Sequence, residues 1–424
     1  MRLLTSAFTP SLLWAMLLLQ GCSAWEVNSL AEQLPAQGPE TTLQALQDIS
    51  PAERDRVQYL LDLGSLKFST GDFSGSIQDL QQAKQIMREL QATSITETAA
   101  AAIVNETFRA YSGTPSERVL NHLLLGLNYL AKGELDAARV EMLQSNILME
   151  ELAEADSVSG QLASARFLAG IVYELGGEWD DAMISYRRAA NIMQARQMAI
   201  PDALATSLLK TSLRQGFDEE YLNYTRQFGR EAQAAQAGDG EVIVFYSDGV
   251  VSNIEEQKIT LFNWQLGQLI SIAVPHYPAN DYTPRHLTLH VAGQSFTTSP
   301  LENIEVLARS DLDARMPGIV ATTTARTVAK YLAVREAGNQ NGLAGLAANI
   351  ASFISEIADT RSWNMLPSSL QVARFTVPSG SLPGIIGFPA EAYTSQLEPA
   401  SKGATVILIA SSLSNNLHSY HQPH

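Results

Sequence analysis

The chain is poor in cysteine, in cations and in charge generally. It has one cysteine, Cys22, in 424 residues, so no disulfide can close within it and the fold must be held by packing. Lysine and arginine number 28 against 44 acidic residues, a net charge of −16 at pH 7. A chain this acidic is repelled by nucleic acid and by anionic lipid headgroups, which argues against both as partners. No Gly-rich phosphate loop, nucleophile elbow or zinc-protease helix pattern occurs, so nothing marks out those enzyme classes. What is abundant is apolar surface: 46% of residues are hydrophobic, enough for the cores of two or three domains.

The single cysteine has an informative position. A short start carrying Arg2 leads into an apolar run from Leu12 to Leu19, too brief for an ordinary spanning helix and typical of a secretory leader. The following Leu19-Gln20-Gly21-Cys22 resembles the lipobox of bacterial lipoproteins, with Gly21 before the cut and the Cys22 thiolate as the nucleophile that takes the diacylglycerol. The resemblance implies a leader over 1–21, acylation of Cys22 and stable anchoring through several acyl chains. Ser23, where an aspartate would suggest retention in the inner membrane, places the expected chain on the periplasmic side of the outer membrane. Acylation would also remove Cys22 as a catalytic thiol. The alternatives are an uncleaved membrane anchor and an ordinary secretory signal in which Cys22 is incidental.

After a polar stretch over 22–50, read as a spacer whose second half is open to an ordered-arm reading, three windows in 51–231 follow the tetratricopeptide pattern. The first holds Gly64, Gly71, Phe73 and Ser76; the second Gly126, Tyr129, Gly133, Leu135 and Ala138; the third Gly170, Tyr173, Gly177, Trp179 and Ala182. The spacing sets Gly64, Gly126 and Gly170 against Ser76, Ala138 and Ala182, so that two helix axes can approach closely. Gly71, Gly133 and Gly177 then fall in turns where a left-handed conformation costs glycine little. Phe73, Leu135 and Trp179 are expected to wedge between the helices. The turn glycines are farther apart than the ~34 residues of tandem repeats, so insertions must separate the pairs. A degenerate fourth pair is expected around Gly216, as a cap. Such repeats commonly hold a peptide or partner helix, and a purely structural shell is the competing view.

Composition shifts across a linker at 232–241. Over 242–412, β-branched alternation in EVIVFYSDG, ISIAVPHYP, HLTLHVAG, SLQVARFTVPSG and ATVILIASS predicts strands around a helical block that is interrupted or kinked near Pro317. The expected fold class is therefore tetratricopeptide-like helical repeats followed by a strand-rich α+β domain with a central helical block. Residues 413–424 read as a disordered tail. The uncharged stretch from Ala337 to Ser355 reads as a buried or subunit-facing helix, or as one resting on lipid or on a partner; its asparagines and glycines make it a poor membrane span.

Chemistry is sparse. His286 and His290 on a strand would stand ~13 Å apart, too far to share one metal ion, so no metal, no cofactor and no catalytic residue is assigned. Tyr277, Asp311 and Asp359 serve equally well as cleft or turn residues. Arg361 and Trp363, in ADTRSWNMLPSSLQVARFTVPSG, are read either as a candidate binding surface or as a corner that closes the fold.

That stretch, with RVLNHLLLGLNYLAKGELDAARVE and ARTVAKYLAVREA, resembles a functionally uncharacterised family of bacterial tetratricopeptide-containing envelope lipoproteins over about Arg54 to Phe388. The resemblance implies an envelope location. Relatives encoded beside lipoproteins like the activators of penicillin-binding proteins imply a cell-wall context. No catalytic residues carry over. The leading expectation is a non-enzymatic adaptor for envelope proteins; the alternatives are an envelope hydrolase acting on glycan or peptide through the C-terminal domain, and a homo-oligomeric surface or export subunit.

Overall fold

The computed structural model describes residues 22–94, 109–154, 159–233, 238–264, 266–291, 293–340, 357–378, 384–386 and 403–422. Residues 1–21, for which a leader ending at Gly21 was expected, and all but the start of the uncharged Ala337 to Ser355 stretch lie outside the described residues. The described residues open with α1 (Cys22–Gln37) and α2 (Pro39–Gln47), where a spacer was expected. Val27, Ala31 and Leu34 recur at helical spacing and bury with Leu46 against Leu63, Leu66 and Met365, so few apolar residues suffice to dock this arm.

Four helix pairs follow: α3 (Arg56–Thr70) with α4 (Phe73–Ser94), α5 (Pro115–Ala131) with α6 (Leu135–Glu154), α7 (Ala163–Leu175) with α8 (Trp179–Ala195), and α9 (Asp202–Arg214) with α10 (Asp218–Phe228). Gly71, Gly133, Gly177 and Gly216 turn the four pairs at φ of 85°, 75°, 77° and 70°. The same 6→1 backbone bond closes each turn: Asp72 to Lys67 at 2.9 Å, Glu134 to Tyr129 at 2.8 Å, Glu178 to Tyr173 at 2.8 Å and Phe217 to Ser212 at 3.0 Å. The fourth pair therefore keeps the turn chemistry although its helix-packing residues have drifted.

Within the first pair the Ser76 hydroxyl donates to the Gly64 carbonyl at 2.7 Å. The tightest neighbour lies one turn further on. A Cβ at Gly64, Gly126 or Gly170 would stand 2.5, 2.6 or 2.3 Å from Leu80, Met142 or Tyr186. Ala138 and Ala182 are fully buried. Tyr129 and Tyr173 link successive pairs by accepting from Gln81 and Asn146 at 3.3 and 3.4 Å. The expected wedges are only half-buried. Phe73 meets Phe68 and His418 edge-on, and Trp179 lies under the Arg214 guanidinium of the next pair, 4.0 Å from its centroid.

The remaining strands are β1 (Gly240–Asp248), β2 (Glu255–Asn263), β3 (Gln268–His276), β4 (Thr288–Val291), β5 (Gln294–Thr297), β6 (Ser299–Asn303), β7 (Ser369–Val377), β8 (Gly384–Ile386), β9 (Thr405–Ser411) and β10 (Ser414–Gln422), with α11 (Ile304–Gln340) between β6 and β7. The main sheet runs β10-β9-β1-β7-β6, with β1 and β9 parallel and its other pairs antiparallel. β2 and β3 form a separate hairpin, and β5-β4-β8 a small second sheet. Strand alternation divides the main sheet between two cores. Ile243, Phe245, Val372, Ile407 and Ile409 join the repeat helices in one core; Val242, Val244, Ala373, Phe375 and Leu408 meet Leu287 and Leu289 in the other. Both faces are buried, which explains the nearly unbroken apolar runs of β1 and β9.

Two expectations for this half need correction. Residues 414–422 are not a disordered tail but an edge strand on β9, because Leu417 buries while His418 and Tyr420 lie over the repeat turns. A Cβ on Gly71 would meet His418 at 3.0 Å, and one on Gly133 would meet Tyr420 at 3.6 Å. Of the two readings given for Pro317, interruption does not hold: α11 runs continuously from Ile304 to Gln340 with Pro317 inside it.

Candidate functional site

The first helix of every repeat pair turns toward the strand-rich half, and polar side chains fasten the two together. At the far end of the contact stands Arg374, the one cation of β7, on the strand face that looks at the repeats. Its Nε donates to Glu241 at 2.8 Å, its two terminal nitrogens to Glu174 at 2.9 and 2.5 Å, and Nη1 also to the Ser207 hydroxyl at 2.7 Å. Lys210 bridges the same carboxylates at 2.7 and 2.8 Å. Two cations and two anions thus close a charge-balanced cluster across β7, β1, α7 and α9. Burial alone would raise the Glu174 and Glu241 carboxyls, but Arg374 and Lys210 beside them hold both below the usual carboxylate range. Tyr186, the residue packed on Gly170, donates to Glu174 at 2.6 Å, so repeat packing and interdomain contact share a side chain.

At the near end, residues 361–366 thread between α3 and α5. The Trp363 indole is 1% exposed and donates to the Ser65 hydroxyl at 2.8 Å. Its backbone N–H donates to Glu117 at 2.7 Å, and that of Met365 to Asp62 at 2.9 Å. Arg361 reaches Asp359 at 2.7 Å, Asp55 at 3.2 Å and the Arg109 carbonyl at 2.9 Å. Burial pushes the Asp62 carboxyl well above its ordinary value and raises that of Glu117 despite the bonds each accepts. Between the ends, Glu302 of β6 accepts from the Ser164 backbone N–H at 3.2 Å and from Arg196 at 2.5 Å, and Asp311 accepts from the Ser116 hydroxyl at 2.9 Å.

Arg361 and Trp363 are therefore not an exposed binding surface. They are buried, and they close the fold, because the indole and guanidinium find complete sets of partners inside. The face that the repeats would offer to a peptide is taken up by the chain's own β7 and β9. Leu120, Leu123 and Leu127 lie with Leu366, Leu370 and Ile409 around a residual cavity of about 60 Å³, room for a few waters.

The sequence reading missed Arg374 and Glu174, since one arginine in an apolar strand carries no periodic signal. It also missed the capping box Thr114-Pro115-Ser116-Glu117, which was legible as T-x-x-E. The box is complete here, with Thr114 N–H donating to Glu117 at 2.7 Å and Glu117 N–H to Thr114 at 3.2 Å.

Other candidates are separated. His286 bonds Gln371 at 2.9 Å, whereas His290 bonds Ser295 at 2.8 Å as its cross-strand neighbour. The latter pair is exposed, and no carboxylate orients the imidazole among the described residues. Nor is any cluster of three metal-ligating side chains found among the described residues. Tyr277 is buried under Arg309, and Asp359 pairs with Arg361. Among the described residues no helix is long and apolar enough to cross a membrane.

No family model matches the chain. No curated protein matches it either. Solved structures similar to part of it include MamA, at 17% identity over 45% of this chain and 85% of that one with a TM-score of 0.29. The apo form of RapI is similar at 14% identity over 45% of each chain, TM-score 0.33. A Rap protein complexed with Competence and Sporulation Factor is similar at 13% identity over 49% of this chain and 50% of that one, TM-score 0.31. These neighbours are tetratricopeptide-like helical-repeat proteins.

Proposed function

We propose that this chain is a lipid-anchored adaptor of the bacterial envelope, held at the periplasmic side of the outer membrane by an acylated Cys22 and carrying a protein partner on the outer helices of its repeats. One observation carries the partner surface. The inner face is filled by the chain's own strands, while the second helices expose Val140, Leu143, Ile147 and Ile184, each 45% accessible or more. A run of large apolar side chains left in water on α6 and α8 is the mark of a contact surface. Beside Ile147 a groove of about 560 Å³ opens between α4, α5 and α6, with Lys84, Arg88, Arg118, His122 and Glu151 in its walls. Lys84 and His122 are already committed to Glu141, each at 2.7 Å. Among the described residues that leaves Arg88 and Arg118, the latter near Glu151, as the cations facing the groove, so the partner segment fits best if its apolar side chains are flanked by acidic ones.

The lipobox-like residues support the anchor, and the family resemblance supports cell-wall assembly as the setting. The test is a photo-crosslinking residue at Ile147 in intact envelopes. The reading expects an adduct with an envelope protein that is lost in the Leu143→Asp and Arg118→Glu variants, and release of the chain from membranes by Cys22→Ser. Adducts indifferent to both surface substitutions would overturn the proposed partner face.

A further inference from the structure

The β2–β3 hairpin stands on α11 by one face; on the other, Ala273 and Pro275 are buried near the base, where Glu256 accepts from the Ala358 N–H at 3.0 Å, and the tip half is exposed. Ile259 and Leu261 turn inward with the buried Ile270, Ile272 and Val274, where they meet Leu312, Met316, Ile319 and Val320. The opposite face is ordered by depth. At the tip Phe262 pairs with Leu269 across the strands, and the Phe262 ring meets Trp264 edge-on at 4.8 Å. These three residues are 47%, 66% and 87% exposed. One step back the pair is Thr260 and Ser271, next Lys258 and Ala273, and then Glu256 and Pro275. Lys258, the first charge, therefore lies ~14 Å behind Phe262 along the strand. From Ile259 to Pro275 the sequence has no charged residue, in a chain of net charge −16.

We propose that this tip inserts into the interfacial layer of a lipid bilayer, with Trp264, Phe262 and Leu269 at acyl-chain depth and Lys258 at the headgroups. Three features favour lipid over a protein pocket. The tip is a tight turn in which the Asn263 carboxamide and carbonyl oxygens accept from the Leu266 and Gly267 N–H groups, so its described apolar residues are presented as a projection. Along β2 the outward residues run from Phe262 to Thr260 to Lys258, the order in which a bilayer changes from acyl chain to water, with the uncharged polar residues Asn263, Gln265 and Gln268 interspersed about the turn. Tryptophan at the leading point suits the interface, since its ring is apolar and its N–H can stay hydrated.

Position agrees. The Asn253 carboxamide, at the root of the hairpin, donates to the Asn28 carbonyl of α1 at 2.8 Å, and only ~9 Å of helix separates Asn28 from Cys22. The proposal rests on the lipid-anchor reading, because that anchor brings a bilayer within reach of a hairpin ~30 Å long.

The experiment uses the mature acylated chain in phosphatidylcholine vesicles, with and without brominated acyl chains, and compares tryptophan quenching in wild type and Trp264→Phe. A Phe262→Ser/Leu269→Ser double variant is the companion. Trp25, beside the anchor, supplies a common background. The account expects wild type to float with the vesicles and Cys22→Ser to partition far more weakly. It also expects a quenched component that disappears in Trp264→Phe and shrinks in the double variant. If wild type floats but its quenching equals that of Trp264→Phe, the tip proposal is overturned and the anchor stands. If wild type does not float, both fall.

Discussion

Arg374 shows how much one residue can organise in a chain without disulfides. Its side chain is fully buried against two largely buried carboxylates, with the partly exposed Lys210 beside them, so removing it strands negative charge in the interior. Arg374→Met should cost about 3–5 kcal/mol in chemical denaturation. Adding Glu174→Gln and Glu241→Gln should recover part of that loss, a non-additivity that a mutant cycle would read directly. The acid limb of stability follows the same cluster. Glu174 and Glu241 titrate below their unfolded values when folded, so their contribution is complete above the unfolded carboxylate value of about 4.3. It is lost as pH falls from there through the folded values. Asp62 has the opposite sign. Burial raises its carboxyl, so its contribution is present below the unfolded value of about 3.9 and disappears as pH rises through the folded one. Denaturation midpoints measured across pH should show Arg374→Met flattening the acid limb, and Asp62→Asn flattening the decline on the rising side. Neither residue was legible beforehand, because a buried charge is identified by partners distant in sequence. Trp363 was legible as distinctive, but its burial depends on Ser65 and Glu117 from the other half of the chain.

At the scale of helices, the repeat pairs were the most readable part of the fold, since small residues and turn glycines repeat in register. What the register did not reveal is that the packing glycines face bulky residues one turn beyond the alanines. The consequence can be ranked. A Cβ at Gly170 would press on the rigid Tyr186 ring, already engaged with Glu174, whereas one at Gly126 would meet the flexible end of Met142. Gly170→Ala should therefore lose about 1–3 kcal/mol and Gly126→Ala less, with Gly64→Ala between them. Gly177 has open space around it but a φ of 77°, so Gly177→Ala should lose about 1 kcal/mol through backbone strain alone. Thermal midpoints of the four variants give the order. The strands were legible as strands; their pairing was not. Nothing local in LHSYHQ announces that it continues a sheet, because its partner residues on β9 are supplied by tertiary position.

For the whole molecule, the two halves share one core, and the inner face of the repeats is an internal interface. Ile243, Phe245 and Ile409 sit in the same cluster as Leu123, Leu168 and Tyr186, so repeats and sheet should unfold in one transition by both helical and tryptophan signals. Separate transitions would mean that the clasp contributes little. The most direct test of the central claim, that the repeats hold their own C-terminal domain and meet partners from outside, is a photo-crosslinking residue at Leu123 in intact envelopes, mapped by mass spectrometry. The account predicts an intramolecular product joining position 123 to Leu366, Leu370 or Ile409. A product joining it to a different polypeptide would contradict the account and return the inner face of the repeats to partner binding.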